Sequence, residues 1–160
     1  MELFSRKVLP RDGNAAYLRE VFRLFSEELK DVNDYTLLAM RAAADFPAAA
    51  RLFDELARVE LAHHTQLGQL LLRYDVAPIA HPSPRRERPE YGTFSPSDPA
   101  LLERAFTARI AEEQTGAKAY RRLADTAQSQ AQTRLFEQIA TEEEGHAAAL
   151  EGMLARMKRA

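Results

Sequence analysis

Two stretches of this chain, 83 positions apart, carry the same pattern: Phe53-x3-Ala57-x2-Glu60-x2-His63 and Phe136-x3-Ala140-x2-Glu143-x2-His146. A second pair, 85 positions apart, reads Glu28-x6-Tyr35-x3-Ala39 and Glu113-x6-Tyr120-x3-Ala124. Steps of three, four and seven return a side chain to the same face of a helix, so each pattern belongs to one helical stripe. The order Glu…Tyr, then Glu-x-x-His, occurs twice, which predicts a duplicated helical hairpin.

The punctuation of the chain agrees with that reading. Six of the eight prolines (Pro78, Pro82, Pro84, Pro89, Pro96 and Pro99) fall in one short segment, and elsewhere good helix formers dominate. Helices are predicted over about 14–44, 47–74, 99–126 and 131–159, with a Pro-interrupted crossover over about 75–97. Asp45 before Pro47 and Asp98 before Pro99 read as helix caps followed by a proline at the first helical position. Short links within each half make antiparallel neighbours, and the long connector can traverse the assembly. The predicted architecture is an all-α four-helix bundle of two antiparallel hairpins joined by a long crossover, with residues 1–160 forming a single domain.

Composition narrows the chemistry. The formal charge of −2 offers no broad attraction for nucleic acid or an anionic membrane surface. No stretch approaches 18 apolar residues, and the amino terminus has no apolar run after its two basic residues, so a soluble cytoplasmic protein with no membrane partner is expected. The chain has no cysteine, so thiol catalysis and thiolate-held metals are excluded within it. Metal chemistry here must use His, Asp and Glu.

The repeated positions are ionisable groups in apolar stripes. Glu60 follows Phe53, Leu56 and Ala57 on its face and precedes Leu67; Glu143 lies among Phe136, Ile139, Ala140, Ala147 and Leu150. Glu28 stands between Val21, Leu24, Phe25, Val32 and Tyr35, and Glu113 between Phe106, Ile110, Ala117 and Tyr120. Burying such charges costs several kcal/mol each unless something compensates them. A Glu and a His three residues apart on a helix can offer an oxygen and a nitrogen to one ion. Two such pairs and two further Glu residues give four carboxylates and two imidazoles, and two divalent cations would balance the carboxylates. Oxygen and imidazole donors suit iron or manganese, with zinc also possible.

These residues resemble the ferritin-like di-iron carboxylate superfamily, and most nearly a rubrerythrin-type ferritin-like domain, over residues 14–159. The motif of that superfamily is Glu, Glu-x-x-His, Glu, Glu-x-x-His on four helices. The resemblance implies that Glu28, Glu60, His63, Glu113, Glu143 and His146 ligate two iron ions, with Glu60 and Glu143 bridging them. It also implies that Tyr35 and Tyr120 donate hydrogen bonds to the ligands and assist the chemistry. Dioxygen or hydrogen peroxide would be the substrate, an external protein the electron donor, and a homodimer or higher homo-oligomer the assembly. Two departures stand out. Peroxide-reducing rubrerythrins usually carry an added Glu one turn after the third-helix ligand, where this chain has Gly116, the equivalent first-helix position being Asp31; and a ferritin-like domain without a rubredoxin domain is expected here.

Competing readings attach to the same residues. The ligands would equally suit a ferroxidase or iron-handling protein, or a di-iron hydroxylase, and a polar network with no metal would make the chain a non-catalytic helical interaction domain. Glu27, Glu112, Glu142, Glu144 and His64 adjoin the motif and are assigned to flanking solvated faces. Tyr35 and Tyr120 would also serve as core aromatics. His81 and the run Arg85-Arg86-Glu87-Arg88 are assigned to a solvated loop.

Overall fold

The computed structural model describes residues 12–79 and 98–159. It contains α1 (Asp12–Ala42), α2 (Pro47–Leu72), α3 (Pro99–Thr126) and α4 (Gln130–Met157), and no strand among the described residues. Most of the expected crossover, from residue 80 to 97, lies outside the described residues, as do His81 and the Arg85–Arg88 run.

Local chemistry sets most helix ends. Asp98 caps α3 by accepting a hydrogen bond from the Ala100 amide at 2.9 Å, with Pro99 in the first turn. Ser129 caps α4 by accepting from the Gln132 amide at 3.3 Å. The start of α2 differs from expectation: Phe46, not Asp45, is the capping residue, and no side chain satisfies the first amides. Phe46 instead packs its ring against the apolar core, while Pro47 holds the first turn. At the other end of α2 the chain leaves through Asp75, whose φ of 59° lies in the left-handed region. The Val76 amide there bonds to the Leu71 carbonyl and the Asp75 amide to that of Leu72, both at 3.1 Å, a closed helix terminus that sheathes two otherwise orphaned carbonyls.

The helices pair as α1 with α2 and α3 with α4, and the hairpins meet through α1 against α3 and α2 against α4. Both cross-hairpin pairs run antiparallel. Tyr120 bonds to Glu28 while Tyr35 bonds to Glu113, so the numbering falls on α3 as it rises on α1. Likewise His146 faces Glu60 and His63 faces Glu143. The two halves are therefore related by an approximate two-fold axis.

The apolar interior forms two clusters. One contains Val21, Leu24, Phe25, Leu67, Leu71, Tyr120, Phe136 and Ile139. The other contains Tyr35, Leu38, Phe53, Leu56, Leu102, Phe106 and Leu150. Each fully buried Phe or Leu contributes roughly 1.5–3 kcal/mol by leaving water. Between the clusters lies a layer of buried ionisable side chains.

Candidate metal centre

That layer is made of the six repeated residues. α1 supplies Glu28, α2 supplies Glu60 and His63, α3 supplies Glu113, and α4 supplies Glu143 and His146; none is more than 6% exposed. His63 Nδ1 lies 3.0 Å from Glu60 Oε2, 3.2 Å from Glu143 Oε1 and 3.5 Å from Glu28 Oε2. His146 Nδ1 lies 2.9 Å from Glu60 Oε1, 3.2 Å from Glu113 Oε2 and 3.8 Å from Glu143 Oε1. Two overlapping groups result: Glu28, Glu60, His63 and Glu143, then Glu60, Glu113, Glu143 and His146, with the donor atoms of each within 4.8 Å of one another. Glu60 and Glu143 belong to both.

The electrostatics of this layer are strained. Burial, reinforced by the charges of Glu143 and Glu60, pushes the Glu28 carboxyl well above its ordinary range. Burial likewise raises Glu143 to about 8. The histidines resist the opposite pull of burial: carboxylates of Glu143, Glu28 and Glu60 raise His63 far above the usual imidazole value, and Glu113 and Glu60 raise His146 to about 10. Glu60, although buried, is held low by hydrogen bonds from His146 and His63. Protons are thus shared among Glu28, Glu60, His63, Glu143 and His146. Even so, Glu28 Oε2, Glu60 Oε1 and Glu143 Oε1 are buried without a properly oriented hydrogen-bond partner. Such orphans cost about 1–3 kcal/mol each. Three buried oxygens and two ring nitrogens converging on one space, with no sulfur donor, fit hard or borderline divalent cations such as iron or manganese.

Around the layer, Tyr35 of α1 donates to Glu113 of α3, and Tyr120 of α3 donates to Glu28 of α1. Each hydroxyl thereby satisfies one oxygen of a carboxylate on the opposite hairpin. Glu27 and Glu112, one residue from Glu28 and Glu113, point outward: Glu27 pairs with Arg23 at 2.6 Å, and Glu112 is 46% exposed. His64 sits half-buried, stacked on Phe25 and donating from Nδ1 to the Phe25 carbonyl at 2.8 Å.

Two residues here go beyond the sequence reading. Glu142 reaches His63 Nε2 at 2.7 Å, so it serves the cluster instead of remaining on a solvated face. Arg109, fully buried, donates to Asp31 at 2.8 Å and to Glu113 at 3.2 Å, also bonds Glu112, and lies 4.4 Å from the centre of the Tyr35 ring. Together with Lys30 it neutralises the outer acidic group of Asp31, Asp34 and Glu112. Arg109 was detectable in principle, because it falls on the apolar stripe of Leu102, Ala105 and Phe106 one turn before Glu113. In the repeat its counterpart is Leu24, and that of Glu142 is Val59. The two halves of the centre are therefore chemically unequal.

The sequence profile of the family described as "Ferritin-like domain" matches residues 20–160. The chain belongs to the ferritin-like family. No curated protein matches it. Among solved structures, the bacterioferritin of Rhodobacter capsulatus superposes with a TM-score of 0.69 at 21% identity, covering 94% of this chain and 89% of that one. That bacterioferritin was described with a metal-free dinuclear site and a haem iron. At this identity the likeness establishes the shared fold.

One departure in this ferritin-like chain has a steric explanation. A Cβ at Gly116 would lie 2.6 Å from Glu143 Oε2, well inside any real contact. The absence of a side chain there is what lets the Glu143 carboxylate lie against α3. Gly116→Ala is expected to push Glu143 off its position at a cost of about 1–3 kcal/mol. It should also weaken uptake of divalent metal, whereas Gly145→Ala, where a Cβ meets nothing within 4 Å, should leave uptake unchanged. Metal titration of the two variants checks this, and equal uptake would show that the close approach does not matter.

Proposed function

We propose that this ferritin-like chain, with residues 1–160 as one domain, holds two iron ions and reduces hydrogen peroxide or dioxygen in the manner of a rubrerythrin. One observation carries the reading: three buried carboxylate oxygens that make no oriented hydrogen bond, only close approaches to the histidines, face a common space with two imidazole Nδ1 atoms, and Glu60 and Glu143 are shared between its halves. Glu28, Glu60, His63 and Glu143 would hold one ion and Glu60, Glu113, Glu143 and His146 the other, Glu60 and Glu143 being common to both groups. Bound iron would supply Lewis acidity and one-electron redox chemistry.

The protein's own groups prepare that chemistry. Glu142 accepts from His63 Nε2–H, which fixes the tautomer that leaves Nδ1 free to ligate. Tyr35 and Tyr120 orient Glu113 and Glu28 through their hydroxyls, and burial keeps bulk water from the layer. Arg109 offsets part of the Glu113 charge, so the half containing His146 would bind its ion less strongly than the half containing His63.

The likeness to a bacterioferritin favours a second reading, in which the same site oxidises iron as cargo. A fixed redox centre predicts two ions retained per chain, in a cytoplasmic homodimer or small homo-oligomer supplied by an external electron donor. Iron handling predicts repeated uptake in a large shell. Iron counting after successive ferrous additions, with particle mass measured on the same sample, separates them. Absence of any metal after reconstitution would overturn both and leave a helical interaction domain. Anomalous scattering at the iron edge would identify the ion.

A further inference from the structure

Comparison of the two halves of the repeat exposes a feature the metal centre does not use. From Tyr120, whose hydroxyl bonds Glu28, an unbroken run of rings leads away from the centre. Tyr120 stacks near Phe136 with centroids 6.4 Å apart, Phe136 meets Tyr17 at 6.2 Å, and Tyr17 meets Tyr74 at 6.3 Å. Tyr17 is buried and Tyr74 half-buried. Gln132 ties the outer pair together: Tyr17 donates to its Oε1 at 3.0 Å, and its Nε2 donates to the Tyr74 hydroxyl at 2.7 Å.

The other half of the bundle also runs from its tyrosine through two rings, Phe53 and then Phe106 at 4.9 Å, but it ends there without a further phenol. Tyr35 stacks on Phe53 at 6.0 Å, matching Tyr120 on Phe136, but the positions equivalent to Tyr17, Tyr74 and Gln132 are Leu102, Met157 and Ala49. Leu102 and Ala49 show that the bundle fills the positions of Tyr17 and Gln132 with aliphatic side chains in its other half, where the rings nearby, Phe53 and Phe106, carry no hydroxyl. Introducing a buried phenol imposes a desolvation cost that only its hydrogen bond to Gln132 offsets. Packing therefore does not call for the two tyrosines, and both carry a side chain that can lose one electron and one proton.

We propose that Tyr17 and Tyr74, reached from Tyr120 across Phe136, form a one-electron relay between the metal layer and the surface of the bundle. The inference rests on the redox reading above. The relay runs in one direction only, because a phenol yields an electron only toward a strongly oxidising centre. Hydrogen peroxide takes up two electrons and two protons to give two waters. The relay passes the electrons singly, and the protons come from solvent. In each passage Tyr17 loses one electron toward the centre while its phenolic proton shifts along its hydrogen bond to Gln132 Oε1. Tyr74 then refills Tyr17 with one electron, the shifted proton returns to Tyr17, and Tyr74 releases its own phenolic proton to solvent to become a neutral radical. One electron from an external donor and one proton from solvent then restore the phenol. Gln132 keeps the Tyr17 and Tyr74 hydroxyls in register throughout.

The test uses the full chain loaded with ferrous iron, with iron content measured first. Peroxide is then added and the sample is frozen for electron paramagnetic resonance. The expected result is a neutral tyrosyl radical whose signal narrows when ring-deuterated tyrosine is incorporated. That signal should be lost in Tyr74→Phe and diminished in Tyr17→Phe, while both variants keep the iron content and melting temperature of the parent. An unchanged radical signal in both iron-loaded variants, or no tyrosyl radical in the iron-loaded parent, overturns the relay while leaving the metal centre intact. A parent that binds no iron overturns the redox reading itself, and the relay with it.

Discussion

Replacing Glu60 and Glu143 together by alanine is expected to reduce divalent-metal binding from two ions per chain to none. These two carboxylates belong to both donor groups, so their loss leaves each half with one Glu and one His. Two monodentate donors in an otherwise apolar layer do not compensate the desolvation of a divalent cation. The single replacements Glu28→Ala and Glu113→Ala make the contrast, because each removes a donor from one group only. Each should abolish one ion and leave the other, giving a stoichiometry near one. Calorimetric titration with ferrous or manganous ion under anaerobic conditions reads all four proteins, and circular dichroism checks that they fold. Retention of two ions by the double variant would remove these residues from the centre.

The second large effect is on pH dependence. In the metal-free protein Glu143 titrates at about 8, against an ordinary value of 4.5. Below pH 4.5 both folded and unfolded chains carry this proton, and the full contribution to stability is present. Between 4.5 and 8 the unfolded chain has released it and the folded chain has not, so stability falls by up to about 1.4 kcal/mol per pH unit for that group. His146 acts in the same direction at higher pH: its imidazolium is kept to about 10 against 6.5, so its contribution declines between those values. The raised Glu28 and His63 add to the trend. Glu60 opposes it, but only in acid, where protonating a carboxylate held low costs stability. The metal-free protein should therefore be most stable near pH 5 and lose stability steadily toward pH 9.

Metal bound at the proposed centre is expected to reverse this. Ligation needs bare carboxylates and neutral Nδ1 atoms, so ions displace the protons held by Glu28, Glu143, His63 and His146. The increase in melting temperature on adding manganous ion should grow from pH 5.5 to pH 8, and the binding heat should vary with buffer ionisation enthalpy in the sense of proton release. A metal-induced shift that is flat across this range, or binding heats independent of buffer, would contradict the proton-sharing described for the layer.

Much of this arrangement was legible in the sequence because duplication writes the same constraint twice. A lone Glu-x-x-His says little in a Glu-rich helix, but Phe53, Ala57, Glu60 and His63 recurring together in α4 isolate the buried face. Tyr35 and Tyr120 separated Glu28 from Glu27 and Glu113 from Glu112, since the tyrosine lies two turns along the same stripe. Helical periodicity assigns a residue to a face of its own helix and is silent on what stands opposite. Arg109 meets Asp31 across the α1–α3 contact and Glu142 meets His63 across the α2–α4 contact, so the stripe could mark Arg109 as buried but neither partner could be read from the sequence. The capping of α2 failed for a related reason: Asp45 had the better local chemistry, but burial of the Phe46 ring decided which residue turned the chain.

The division of the interior into two apolar clusters has a mechanical consequence. Oil on one side of the ionisable layer does not touch oil on the other, so the ends of the bundle are joined through groups that repel one another or share protons until a cation arrives. In the proposed centre, ligands from all four helices would then close on the same pair of ions, and the chain would acquire a rivet at mid-height. With ions in the proposed centre, cooperativity between the two ends would gain a term beyond the four continuous helices that already join them, and loss of metal would lower the free energy that couples one end to the other.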